Sequence, residues 1–193
     1  LTNIFTGRTG ASIALHAHER GHHVTLLTSR PEAVVEMQCS GGDLARHWTV
    51  IHYDTFQDLE RVMEGRIRSS PPDAIVHCAA VSDYLSGGIF SPAPGTRFDP
   101  ESRHWEADHI PPALLDRAAG KVKSDEPELW LRLVRAPKLI DRLRTDWDFR
   151  GLVVKFKLEV GYTEADLVDI AEHSRRQSAA DLMVANTLED MNR

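Results

Sequence analysis

Leu1-Thr2-Asn3-Ile4-Phe5-Thr6-Gly7-Arg8-Thr9-Gly10 runs straight into an alanine-rich segment that ends at Arg20-Gly21. Two glycines three residues apart let the backbone turn tightly. The helix that follows starts with unpaired N–H groups and the positive end of its dipole, a setting that suits phosphate. The same pattern also serves as a plain helix cap, so both readings stand on these residues alone. Ile13, Leu15 and the alanines give residues 10–20 an apolar side, and Gly21 is placed for the left-handed conformation that closes a helix. Such a helix is expected to pack on a sheet.

Outward from that stretch, strand and helix signals alternate. His22 to Ser29 is a β-branched and leucine-rich run of strand length, broken by Pro31. Glu32 to Arg46 gives a mixed signal, with Cys39-Ser40-Gly41-Gly42 as a loop. Trp48 to Tyr53 reads as a strand, and Asp54 as the N-cap of a helix reaching Arg68, with Phe56, Leu59, Val62, Met63 and Ile67 inward. Asp73 to Ala80 reads as a strand apolar on both faces except at His77, as in a sheet covered on both sides. Residues 85–120, rich in glycine and proline, read as one long loop, functional or mobile. Beyond it, Glu128 to Val134 alternates like a strand and Pro137 is placed at the first position of a helix ending at Arg144. Gly151 to Lys157 is a strand, Thr163 with Asp166 resembles a capping box for a helix to about Gln177, and Asp181 to Asn186 is a last strand.

Crossovers long enough to carry helices imply an α/β fold, a Rossmann-like doubly wound and mostly parallel sheet in a single domain, 1–193. Ligands in such sheets sit at the carboxyl ends of the strands, where Asn3 to Gly10, Ala79 to Asp83, Lys121 and Asn186 should gather. The 193 residues carry a formal charge of −6, which argues against a nucleic-acid binder while leaving room for a local basic pocket. No apolar run approaches the roughly 20 residues that span a bilayer. The two cysteines form no CxxC and the ten histidines no HExxH, so no metal-ligand spacing is present and a reducing, cytoplasmic setting fits. No signal-peptide pattern opens the chain, and the missing initiator Met leads us to expect residues before Leu1.

Ala79-Ala80 at a strand end offers small side chains against which a base or ribose could lie, or simply a tight strand exit. Asp83 could accept from a hydroxyl or hold Mg2+ through water, and reads equally as a loop carboxylate. Lys121 and Lys123 flank Val122, so in an extended segment both point the same way, as cations beside a phosphate or as a solvated pair.

Taken in register, these stretches resemble the phosphopantothenate–cysteine ligase family of coenzyme A biosynthesis. LTNIFTGRTG is similar to its I-T-N-x-S-(S/T)-G-x-x-G loop and AAVSDY to its A-A-V-(S/A)-D motif. GKVKS is similar to its K-I-K element, APKLID to its P-x-I-(I/L) helix start, and DLMVAN to its D-x-(I/V)-x-A-N ending. The resemblance implies a ligase in which the carboxylate of 4′-phosphopantothenate attacks the α-phosphate of CTP or ATP, carried with Mg2+, to give an acyl-nucleotide and pyrophosphate. The amine of L-cysteine then displaces the nucleotide. It assigns Asn3 and Lys121 as catalytic residues, with Asn3 donating to the charged oxygen formed when the amine adds. It assigns Gly7, Thr9, Gly10, Ala79, Ala80, Asp83 and Lys123 to the nucleotide and its phosphates.

The resemblance also implies a homodimer, with 85–120 as a flap that covers the site and helps pair subunits, and no nucleic-acid or membrane partner. In that family a strand, a G-G-T turn and an arginine come before this loop, and here they would precede Leu1. CTP users of the family carry lysines where this chain has Ser174 and Ser178, whereas Phe156-Lys157-Leu158-Glu159 is closer to the ATP-using members. Two alternatives remain on the residues. One is a short-chain-type NAD(P) oxidoreductase, weakened by the lack of a full G-x-G-x-x-G and of Tyr-x-x-x-Lys. The other is a non-catalytic nucleotide-binding relative.

Overall fold

A computed structural model describes residues 6–37, 47–108, 111–118 and 125–187. In chain order the elements are α1 (Arg8–Glu19), β1 (Val24–Thr28), α2 (Glu32–Met37), β2 (Trp48–His52), α3 (Phe56–Ser69), β3 (Ala74–His77) and β4 (Tyr84–Pro92). There follow β5 (Thr96–Asp99), β6 (His104–Ala107), β7 (Leu114–Asp116), β8 (Trp130–Arg135), α4 (Leu139–Thr145), β9 (Leu152–Glu159), α5 (Glu164–Gln177) and β10 (Leu182–Thr187). The chain divides into two compact units, one of residues up to Val81 together with those from Lys138 onward, the other Ser82–Pro137.

The first unit is the α/β body. β1 and β2 pair in parallel, and β10, β9 and β3 form a second parallel sheet in that order. Leu59, Met63 and Ile67 of α3 and Leu139, Ile140 and Leu143 of α4 close on Trp147, Phe149 and Val153. Leu143 is fully buried, and each such side chain contributes about 1.5–3 kcal/mol by leaving water. A smaller cluster of Ala11, Ala33 and Val34 packs α1 and α2 with Leu26 and Trp48.

Local chemistry moves three of the expected boundaries. The N-cap of α3 is Thr55, not Asp54: its Oγ1 accepts from the Asp58 N–H at 3.1 Å while the Asp58 carboxylate accepts from the Thr55 N–H at 3.2 Å. That reciprocal pair satisfies two helix-end donors, which a lone Asp54 one residue earlier does not. α4 starts at Leu139 with Lys138 as N-cap, so Pro137 lies outside the helix. β3 is shorter than expected, and Val76 is 41% exposed while Ile75 packs on the core, so this strand alternates. Thr163 is the N-cap of α5, its Oγ1 accepting from the Asp166 N–H at 3.3 Å, the half of the expected capping box that caps the helix.

The second unit replaces the expected loop over 85–120 with antiparallel strands in the order β7-β4-β8, plus a β5-β6 hairpin. Its glycines and prolines are turn and bulge residues. Ala93-Pro94-Gly95-Thr96 closes with Thr96 N–H to Ala93 O at 2.8 Å and Gly95 at φ +79°, the Pro-Gly pattern of a type II turn. Gly87-Gly88 coincides with a register shift between Ser86 and Ile89, a bulge with Gly88 at φ +134°. Phe98 packs edge-on against Trp105 and Trp130, which are tilted against each other, with ring centroids 4.7–5.3 Å apart.

Candidate functional site

α1 opens on Gly7, at φ 73° and ψ 0°, with no side chain capping it and no acidic residue in its first turn. The Arg8 N–H reaches Thr6 Oγ1 only at 3.5 Å, and the first intrahelical bond is Ala11 N–H to Gly7 O at 3.0 Å. This helix start is therefore electropositive, and beyond the long Arg8–Thr6 contact no side chain caps its donors.

Two contacts fix where that start lies. A Cβ built on Gly7 would stand 3.1 Å from Arg30 Cβ and 3.7 Å from Thr28 Oγ1, so the turn rests on the carboxyl end of β1. A Cβ on Gly10 would stand 3.2 Å from Cys78 Sγ, just past the carboxyl end of β3. Glycine at both positions lets the first turn of the helix settle between the two strand ends. Behind it, burial raises the Cys78 thiol and the Tyr53 phenol above their ordinary ranges, so both stay protonated at neutral pH. Thr28 is buried, and its Oγ1 accepts from the Arg30 N–H at 2.9 Å.

The expected site residues divide accordingly. Gly7, Thr9 and Gly10 share the start of α1, and Thr9 is exposed. Ala79 is half-buried against the main core and its carbonyl accepts from Val81 N–H at 3.0 Å, while Ala80 is exposed. Asn186 lies exposed toward the carboxyl end of β10, opposite Leu158. Asp83 belongs to the second unit, where its carbonyl accepts from Ala136 N–H and its side chain is exposed. Asn3, Lys121 and Lys123 lie outside the described residues. Among the described residues no group of three His, Cys, Asp or Glu could hold a metal ion. No helix there is long and apolar enough to cross a membrane.

Ser174 and Ser178 have a structural role that the motifs did not reveal. The buried Lys155 ammonium donates to Ser174 O at 3.1 Å, Ser174 Oγ at 2.9 Å and Ser178 Oγ at 3.0 Å. A cation there meets the negative end of α5, and burial lowers its pKa below the usual lysine range. Lys155 sits opposite His77 in the β3–β9 register. Burial, and then the Lys155 charge, push the His77 imidazole down to about 4.

Thr28, Arg30, Tyr53 and Cys78 were not singled out from the sequence. The signal available was positional: each stands within two residues of a strand's carboxyl end.

Residues 1–89 match the family model described as the DNA/pantothenate metabolism flavoprotein C-terminal domain. The coenzyme A biosynthesis bifunctional protein CoaBC of Thermococcus kodakarensis is 28% identical over 190 residues, which cover 97% of this chain and 37% of that relative. This chain therefore spans little more than a third of the curated relative it matches. The crystal structure of the DNA/pantothenate metabolism flavoprotein from Streptococcus pneumoniae superposes with a TM-score of 0.68 at 24% identity, covering 98% of this chain and 75% of that one. A Cab2 mutant in complex with phosphopantothenate-cysteine superposes at 0.63 and 16% identity, covering 99% and 67%. At these identities the solved structures establish the shared fold. The family model over residues 1–89 and the curated relative agree with the resemblance to the phosphopantothenate–cysteine ligase family read from the motifs, and the solved structures agree with its fold.

Proposed function

We propose that this chain is a phosphopantothenate–cysteine ligase domain that takes a nucleoside triphosphate at the start of α1. The observation that carries the proposal is the uncapped helix start behind Gly7, set between the carboxyl ends of β1 and β3. An anion at that point would gain the free N–H groups and the helix dipole together. Nothing acidic in the first turn opposes it. The family likeness supplies the chemistry.

In the reaction, the carboxylate of 4′-phosphopantothenate attacks the α-phosphorus of CTP or ATP and pyrophosphate leaves. The amine of L-cysteine then adds to the acyl carbon, and the nucleoside monophosphate departs with the C–O bond as the amide forms. Mg2+ bound with the triphosphate would offset its negative charge. Asn3 donates to the oxygen that becomes charged as the amine adds, and Lys121 and Lys123 neutralise the phosphates. Gly7, Thr9 and Gly10 donate to phosphate. Ala79 and Ala80 lie against the nucleotide, and Asp83 is assigned to it by the family resemblance alone.

A cytoplasmic homodimer is part of the same proposal. Tyr84, Leu131 and Leu133 are 53%, 52% and 39% exposed, and the cross-strand register puts Tyr84 and Leu133 on one face of β4-β8. Such a row is what a second copy would cover. Sedimentation equilibrium checks it: twice the chain mass is expected, and a monomer at micromolar concentration would remove it.

The chemical test is product analysis by mass spectrometry. With Mg2+, CTP or ATP and 4′-phosphopantothenate, the chain should accumulate acyl-nucleotide, and adding cysteine should convert it to phosphopantothenoylcysteine. Asn3→Asp should still form acyl-nucleotide while slowing its transfer to cysteine about a hundredfold, as loss of one oxyanion donor does. An Asn3→Asp chain with unchanged transfer would remove that assignment.

A further inference from the structure

Arg30 lies two residues past the end of β1, against the turn that starts α1. Its backbone is held by the Thr28 hydroxyl, which accepts from the Arg30 N–H at 2.9 Å. Its first side-chain carbons lie alongside Gly7: a Cβ there would stand 3.1 Å from Arg30 Cβ and 3.6 Å from Cγ. The charged end is held far less firmly. Its ion-pair partner is Glu32, with Nη1 to Oε1 at 3.6 Å, and both side chains are about half exposed. That separation exceeds hydrogen-bond length, and an exposed pair of this kind is weak.

We propose that Arg30 is a substrate-binding residue for the triphosphate: its guanidinium leaves Glu32 and takes phosphate oxygens at the start of α1. The inference rests on the reading of that turn as the triphosphate site. The electrostatics favour such a group. A helix start supplies about half a positive charge, and a Mg2+-bound triphosphate keeps a net negative charge beyond that. The chain as a whole carries −6, so cations close to the turn must make the local potential favourable. Arg30 has a stem anchored beside the turn and a planar fork suited to two phosphate oxygens. Glu32 competes for the same fork, so it weakens binding while ordering the arginine in the free protein.

Isothermal titration of Mg–CTP and of Mg–ATP into the whole chain tests this, with circular dichroism confirming that each variant is folded. Arg30→Met should raise Kd about tenfold or more, and Arg30→Lys should recover part of the loss without bidentate geometry. Glu32→Gln should lower Kd about two- to threefold by freeing the guanidinium. Arg20→Met removes a cation at the far end of α1 and should leave Kd unchanged. Opposite signs at 30 and 32 separate a binding role from general damage. Nucleotide binding by the parent chain with Kd equal in Arg30→Met, or both variants shifting the same way, overturns the role of Arg30 alone. No binding of either nucleotide by the parent chain overturns the triphosphate reading itself and Arg30 with it.

Discussion

Acidification should destabilise this protein through one imidazole, and the size of the effect follows from the fold. His77 ends β3 beside the Lys155 ammonium, and its pKa falls from the ordinary 6.5 to about 4. A depressed histidine pKa means that the unfolded chain binds the proton more readily. The stabilisation is therefore complete above about pH 6.5 and is lost as pH falls toward 4. Between pH 7.5 and pH 5.0 these two values give a loss of about 2 kcal/mol, a large share of a typical domain's stability. Urea unfolding of the parent chain and of His77→Gln at both pH values isolates the term, because the other carboxylates and amines titrate alike in the two proteins. The parent chain should lose about 2 kcal/mol more than the variant. Proton NMR offers the same test on the residue itself, with a His77 midpoint near 4. Equal losses in the two proteins, or a midpoint near 6.5, would mean that the fold does not hold His77 neutral.

Two further substitutions probe the body that holds the site. Gly151→Ala places a Cβ against the Asp73 carbonyl, which accepts from Leu152 N–H at 2.8 Å; backbone must move, and chemical denaturation should show a loss of about 2 kcal/mol. A loss below about half of that would mean the β3–β9 entry is looser than described. Leu143→Ala removes the fully buried side chain of α4 and should cost about 3 kcal/mol by the same measurement, with a near-zero change arguing against α4 as the lid of the core.

Periodicity and punctuation made the α/β body legible. The apolar runs from Val24 and Leu152 are parallel strands because helices follow them, and Gly21 at φ +88° follows α1 as its position suggested. What the sequence concealed was reciprocal or long-range. Thr55 beats Asp54 as a cap only because Asp58 answers it three residues on. In the 85–120 stretch, Pro94-Gly95 and Gly87-Gly88 were read as loop composition, whereas Pro94-Gly95 makes the turn from β4 to β5 and Gly87-Gly88 a bulge within β4, whose partners β7 and β8 lie farther along the chain. Ser174 and Ser178 gave no sign of Lys155, because a strand residue meets a helix end only after folding. In the candidate site the glycines were legible from their spacing. Arg30 and Cys78 became visible only through what a Cβ at Gly7 or Gly10 would touch.

The most direct measurement is pyrophosphate release by the purified chain, supplied with Mg2+ and CTP or ATP, with and without 4′-phosphopantothenate. The expected result is release that requires phosphopantothenate and proceeds before cysteine is added. No release with either nucleotide, or release indifferent to phosphopantothenate, would contradict the ligase proposal.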